Sequence, residues 1–106
     1  MGIDEALRSE IVRRVLCVAR PEKIILFGSA AAGAMNRDSD IDLLVLEQAP
    51  HNVRNESVRI GDALRGLGFP FDVIVMPVER FEETRNVVGG IAYPASRHGT
   101  VIYEAA

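Results

Sequence analysis

The segment Ser39-Asp40-Ile41-Asp42-Leu43-Leu44-Val45-Leu46 opens on two aspartates and turns apolar at once. A short apolar run of branched side chains has the length and chemistry of a β-strand. Strand residues two apart project to one face, so Asp40 and Asp42 point the same way at the strand's start. Two carboxylates so placed beside an apolar core repel each other and resist burial. The plainest resolution is that Asp40 caps a loop and Asp42 faces solvent. The functional one is a divalent cation, which relieves both penalties; Mg²⁺ is typically held by one or two carboxylates plus substrate phosphates.

The rest of the chain supplies an α/β (α+β) frame for that strand. From residue 4 to 19, Leu7, Ile11, Val15 and Ala19 continue a four-residue repeat begun at Ile3, with Val12 and Leu16 beside it, which predicts a helix capped by Asp4 and ended before Pro21. Arg13 and Arg14 read as its solvated face, and Cys17 as a core residue. Lys23 to Phe27 is a first strand running into Gly28-Ser29 and the small-residue stretch Ala30 to Ala34. Val53 to Leu67 is a second helix ended by Gly66 and Gly68, and Phe71 to Met76 a third strand closed by Pro77. Glu79 to about Arg97 reads as a helix broken at Gly89, Gly90 and Pro94. Thr100 to Tyr103 is a fourth, edge strand on which Tyr103 packs, and His98 is a helix-end group. The expectation is one domain over residues 1–106, a small mixed sheet with flanking helices. Only 6% of the residues are aromatic and none is Trp, so the core must be aliphatic.

Topology gathers the candidate residues. A helical crossover between the second and third strands makes them parallel, which puts their starts, at Asp40 and Asp72, at one end of the sheet. The first and second strands are joined without a crossover helix of normal length, which favours an antiparallel pair and brings Gly28 to that same end. The small side chains of Gly28-Ser29-Ala30-Ala31-Ala32-Gly33 let backbone N–H groups approach a phosphate. A helix beginning at Ser29 would add the partial positive charge of its N-terminus. A third carboxylate on the neighbouring strand would permit two metals about 3.5–4 Å apart.

Leu26-Phe27-Gly28-Ser29, ten residues, then Asp40-Ile41-Asp42-Leu43-Leu44-Val45 resembles the signature of the DNA polymerase β-like nucleotidyltransferase superfamily. It is most similar to the minimal nucleotidyltransferases that serve as antitoxins in MNT–HEPN toxin–antitoxin modules. Phe71-Asp72-Val73-Ile74-Val75 resembles the strand of the third carboxylate, and His98-Gly99-Thr100-Val101-Ile102-Tyr103-Glu104 a family-like C-terminus. The resemblance implies the nucleotidyltransferase fold and AMP transfer from ATP to a hydroxyl of a protein partner, here a HEPN-type ribonuclease silenced by the modification. It implies Asp40, Asp42 and Asp72 as catalytic residues and Mg²⁺ ligands at a two-metal site, with Asp72 helping to deprotonate the acceptor. Gly28 and Ser29 would contact the triphosphate, with Gly33 and Arg37 completing the nucleotide site. One departure stands out: the family often has Arg where this chain has Ala32, so a phosphate-neutralising charge must come from Arg37 or from a partner. A weak or inactive antitoxin that acts by binding its toxin is the alternative this departure favours. Transfer to a small molecule of the aminoglycoside type is a further one, though it would usually require an added domain.

Other readings of the aspartates fit poorly. An EF-hand loop requires Gly at its sixth position, where counting from Asp40 gives Val45. A P-loop requires Gly-Lys-Ser/Thr, and no Lys follows Gly33. The net charge of −3 and scattered arginines argue against a grip on long nucleic acid. A lone cysteine excludes an internal disulfide and fits a cytoplasmic location. The first residues, with Asp4, Glu5 and Arg8, do not read as a secretory leader, and no apolar run has membrane-spanning length. Assembly into a homo-oligomer is compatible with all of this.

Overall fold

The structure, a computed structural model, describes residues 4–28 and 40–105. Helix α1 (Glu5–Val18) begins where the Asp4 carboxylate accepts the Leu7 N–H at 2.8 Å, satisfying one of the donors a helix start leaves open. It ends at Ala19, whose backbone is extended. Strands β1 (Lys23–Phe27) and β2 (Ile41–Glu47) follow. Helix α2 (Val53–Ala63) is capped by Asn52, which accepts the Asn55 N–H at 3.0 Å. Strand β3 (Phe71–Pro77) leads into two seven-residue helices, α3 (Val78–Thr84) and α4 (Ala92–His98), and strand β4 (Thr100–Glu104) closes the fold. The helix expected from Glu79 to Arg97 is thus two, separated by a segment in which Gly89 has φ +112°. Helix α2 stops at Ala63, four residues before the expected Leu67.

The sheet has the order β3-β2-β1-β4, with β2 parallel to β3 and β1 antiparallel to both β2 and β4. This is the mixed sheet the connections implied. β2 is paired on both sides and covered on both faces: Ile41, Leu43, Leu44 and Val45 have no exposed surface. Its alternate residues enter two separate cores. Ile41, Leu43 and Val45 pack with Ile11 and Val15 of α1 and Ile60 of α2. Leu44 and Leu46 pack with Phe81 of α3 and with Ala92 and Ala95 of α4. Helices α1 and α2 therefore cover one face, and α3 and α4 the other. The buried residues of the first core are all aliphatic, as expected, whereas the second core also holds Phe27 and Phe81.

Two expectations about α1 fail. Cys17 is exposed, because it lies two residues beyond Val15 and about 200° around the helix from the buried stripe. Arg14 is not merely solvated. Its guanidinium donates to the Arg65 carbonyl at 2.7 Å and the Ala63 carbonyl at 3.4 Å, satisfying carbonyls that the end of α2 leaves open. Tyr103 packs against the α1–α2 core, as expected. Among the described residues, no helix is long and apolar enough to cross a membrane.

Candidate active site

The register of the sheet decides which residues meet. Phe27, the last residue of β1, stands opposite Asp42, and Asp42 stands opposite Asp72. The three form one row across three strands at one rim of the sheet. A backbone bond from the Ile41 N–H to the Pro70 carbonyl, 2.9 Å, fixes the start of β2 against the start of β3. Hydrogen-bonded strands lie about 4.8 Å apart, so the Asp42 and Asp72 carboxylates rise side by side. By strand alternation Asp42 shares its face with Leu44 and Leu46, the face covered by α3 and α4.

The sequence pattern starts β2 at Ser39 and places Asp40 and Asp72 at the same end of the sheet, without a register. The strand begins instead at Ile41, and the acid level with Asp72 is Asp42. Asp40 lies just upstream and is exposed, as is Asp72, whereas Asp42 is half-buried.

Gly28 completes the corner. Its φ of +75° lies in the left-handed region that favours glycine. A Cβ built there would overlap Asp42 Oδ2 and stand 3.2 Å from Asp42 Cγ. The backbone that leaves β1 therefore passes directly against the Asp42 carboxylate, and only a residue without a side chain lets it pass. Ser29, Ala32, Gly33 and Arg37, read from the sequence as nucleotide-contacting or phosphate-neutralising positions, lie outside the described residues.

The electrostatics of the corner are unfavourable for an anion. Partial burial pushes the Asp42 carboxyl above its ordinary range, and the nearby charges of Asp72 and Asp40 push it further. All three causes penalise the ionised form, and a bound cation would reverse them. Among the described residues, no three carboxylate, imidazole or thiol groups are drawn together tightly enough to enclose a metal ion unaided. The three aspartates thus act on one another without forming a closed cage, looser than the sequence implied. An open carboxylate set of this kind fits Mg²⁺, which keeps several waters or phosphate oxygens in its shell.

The sequence pattern did not reveal what else shares this rim. Thr100 of β4 stands opposite Leu26 of β1, so α4 ends at the same edge, bringing Arg97 and His98 there. Gly99 makes the corner tight: a Cβ on it would come 2.6 Å from Ile25 Cγ2. The periodicity gave a helix end, but the place of that end depends on the β1–β4 register.

A family model described as a nucleotidyltransferase domain matches residues 5–92. That span holds α1, the glycine turn, the paired aspartate strands and α3. The chain belongs to the nucleotidyltransferase domain family. Solved structures of similar fold agree with the membership. One is a Sulfolobus solfataricus protein assigned as a nucleotidyltransferase, with a TM-score of 0.63 and 22% identity over 93% of this chain and 78% of that one. Another is a mutant of the toxin–antitoxin pair MntA–HpeT, with a TM-score of 0.68 and 17% identity over 92% of this chain and 73% of that one. A third is a toxin–antitoxin complex with AMP-PNP, with a TM-score of 0.61, again at 17% identity over 92% and 73% of the two chains. A comparison with curated proteins returns no match. At these identities the structural neighbours speak to fold: a four-stranded mixed sheet with helices on both faces.

Proposed function

We propose that this nucleotidyltransferase domain transfers AMP from ATP to a hydroxyl of a protein partner, and that the partner is a HEPN-type ribonuclease toxin which the modification silences. The observation that carries the reading is the corner itself: Asp42 level with Asp72, both beside a glycine turn that admits no side chain, in a chain of this family. Asp40, Asp42 and Asp72 would hold Mg²⁺, which when bound neutralises triphosphate charge. Gly28 would let the backbone come close to the phosphates, with Ser29, Gly33 and Arg37 extending that contact. Asp72, exposed at the edge of the row, would accept the proton of an incoming hydroxyl. The acceptor would attack the α-phosphorus, and pyrophosphate would leave. The choice of a toxin as acceptor is supported by the two toxin–antitoxin structures of similar fold, and that of ATP by the AMP-PNP in one of them.

The test is incubation of the purified domain with α-labelled ATP, Mg²⁺ and the protein that co-purifies with it. Label should appear on the partner and vanish with Asp40→Asn. Transfer that persists in Asp40→Asn, or label that never reaches a protein, would overturn the reading. A second reading, neutralisation by contact alone, is favoured by Ala32, which stands where the family often has Arg. Asp42→Asn separates the two: full neutralisation of the toxin by that variant would mean binding suffices.

A further inference from the structure

The far end of β2 carries an acidic side chain that the proposed chemistry does not use. Glu47, the last residue of β2, is 8% exposed and is the one buried charged residue among those described. By strand alternation it points to the α1–α2 face. Its Oε2 is sealed from solvent and meets no donor. Beside it stands Glu56 in the first turn of α2, whose own carboxylate is paired with Arg59. Two ionised carboxylates have no hydrogen to offer each other, and facing one another out of water they repel. One proton between them turns an acceptor into a donor and satisfies the orphaned oxygen.

We propose that Glu47 and Glu56 share a single proton across the contact between β2 and α2, and that losing it loosens α2 from the end of the sheet, a pH-responsive latch built into the fold. The surrounding charges are few. Arg59 on α2 opposes the effect. Arg20 and Cys17, at the end of α1, line the adjoining cleft with Glu47 and Glu56. His51, in the loop after β2, lines the cleft on the other side. On β3 the register partner is Pro77, which carries no charge. On β1, Lys23 stands opposite Leu46 and pairs with Glu104 at 3.7 Å. No nearby cation other than Arg59 is bonded to the pair among the described residues.

Burial, and then the contact with Glu56, raise the Glu47 carboxyl from 4.5 to about 7 against the pull of Arg59. A carboxyl raised on folding binds its proton more firmly in the folded chain. Stability contributed by that proton is therefore complete below 4.5 and is lost as pH climbs to about 7, levelling off above. The window reaches neutrality, and the latch bears on α2, which packs against β3, the strand of Asp72.

The experiment is denaturant unfolding of the whole chain from pH 4 to 9, for the wild type and Glu47→Gln, each also in an Asp42→Asn background. That background is needed because Asp42 titrates in the same direction. In the Asp42→Asn background the folding equilibrium constant should fall with rising pH, by up to about tenfold per pH unit in the middle of the window, the limit for one proton. Glu47→Gln, whose amide can donate to Glu56 at every pH, should remove that fall and be the more stable protein at pH 8. Should Glu47→Gln fail to fold, amide exchange in the wild type decides: protection of residues 53–63 should drop relative to β1 as pH rises through 7. An Asp42→Asn chain with no slope, a double variant Glu47→Gln, Asp42→Asn that keeps the slope of Asp42→Asn, or α2 protection that tracks β1 would each overturn the proposal.

Discussion

Replacing Gly28 by Ala tests the corner at its tightest point. Two costs can be separated. The first is backbone: at φ +75° an L-residue with a Cβ loses about 1–2 kcal/mol. The second is steric: the new Cβ would occupy the place of Asp42 Oδ2, with Asp42 Cγ and Cβ at 3.2 and 3.5 Å, so the carboxylate must swing out of its rotamer, at about 0.5–1.5 kcal/mol. The sum, roughly 1.5–3.5 kcal/mol, leaves a domain of ordinary stability, about 5–15 kcal/mol, still folded. Activity should suffer far more, because a carboxylate displaced by about 1 Å at a reacting centre can cost on the order of 10²-fold. Urea unfolding gives the stability change, and transfer from α-labelled ATP gives the activity. The partition is checked in an Asp42→Ala background, where the steric part should vanish and only the backbone part remain, a coupling of roughly 0.5–1.5 kcal/mol. A Gly28→Ala penalty of the same size in both backgrounds would show that the glycine does not bear on Asp42. A variant as active as wild type would remove Gly28 from the site altogether.

Other substitutions probe the neighbouring links. Asp42→Asn should leave stability without metal unchanged or higher, since burial, Asp72 and Asp40 all penalise the ionised carboxyl, while transfer falls to background; calorimetric unfolding beside the label assay checks both halves. The wild type should also lose stability as pH rises from 3.8 through the raised value of Asp42, because the folded form holds that proton more firmly, and a pH series should find this fall missing in Asp42→Asn. Leu44→Ala, beneath the site at a position with no exposed surface, should cost about 2–5 kcal/mol in urea unfolding. Gly99→Ala should cost about 1–3 kcal/mol by overpacking against Ile25 and the Ala95 carbonyl, and should shift β1 and β4 resonances more than those of α2.

What could be read from the sequence was whatever local chemistry and connection length settle by themselves. Asp4 caps α1 because a carboxylate three residues before an open N–H has an immediate partner. The parallel β2–β3 pair follows from the helix between them, and the antiparallel β1–β2 pair from the lack of one. Register was not legible to the residue, because it rests on long-range bonds such as that from the Ile41 N–H to the Pro70 carbonyl. That bond sets Asp42, not Asp40, beside Asp72. Arg14 was misread for the same reason: its partners at Ala63 and Arg65 lie about fifty positions away. Glu47 drew no notice, since a glutamate at the end of an apolar run looks like a strand terminus until Glu56 is brought against it.

These features meet in one strand. β2 is central, almost wholly buried, and acidic at both ends, and each acidic end opposes folding when it stands alone. The two ends differ in what relieves them. At the Asp42 end three carboxylates lie open at a rim, where a divalent ion can enter with its waters and a triphosphate. At the Glu47 end the unpartnered oxygen is sealed from solvent, where a single proton is enough to satisfy it. The two responses should therefore be independent. Mg²⁺ should stabilise the chain at pH 8 through the first end without altering the slope set by the second, and Glu47→Gln should flatten that slope without changing the metal midpoint. Stability measured over a grid of pH and Mg²⁺ for the wild type, Asp42→Asn and Glu47→Gln would show it. A metal midpoint that moves tenfold in Glu47→Gln would mean that the ends communicate along β2, and that α2 and the aspartate rim form one cooperative unit.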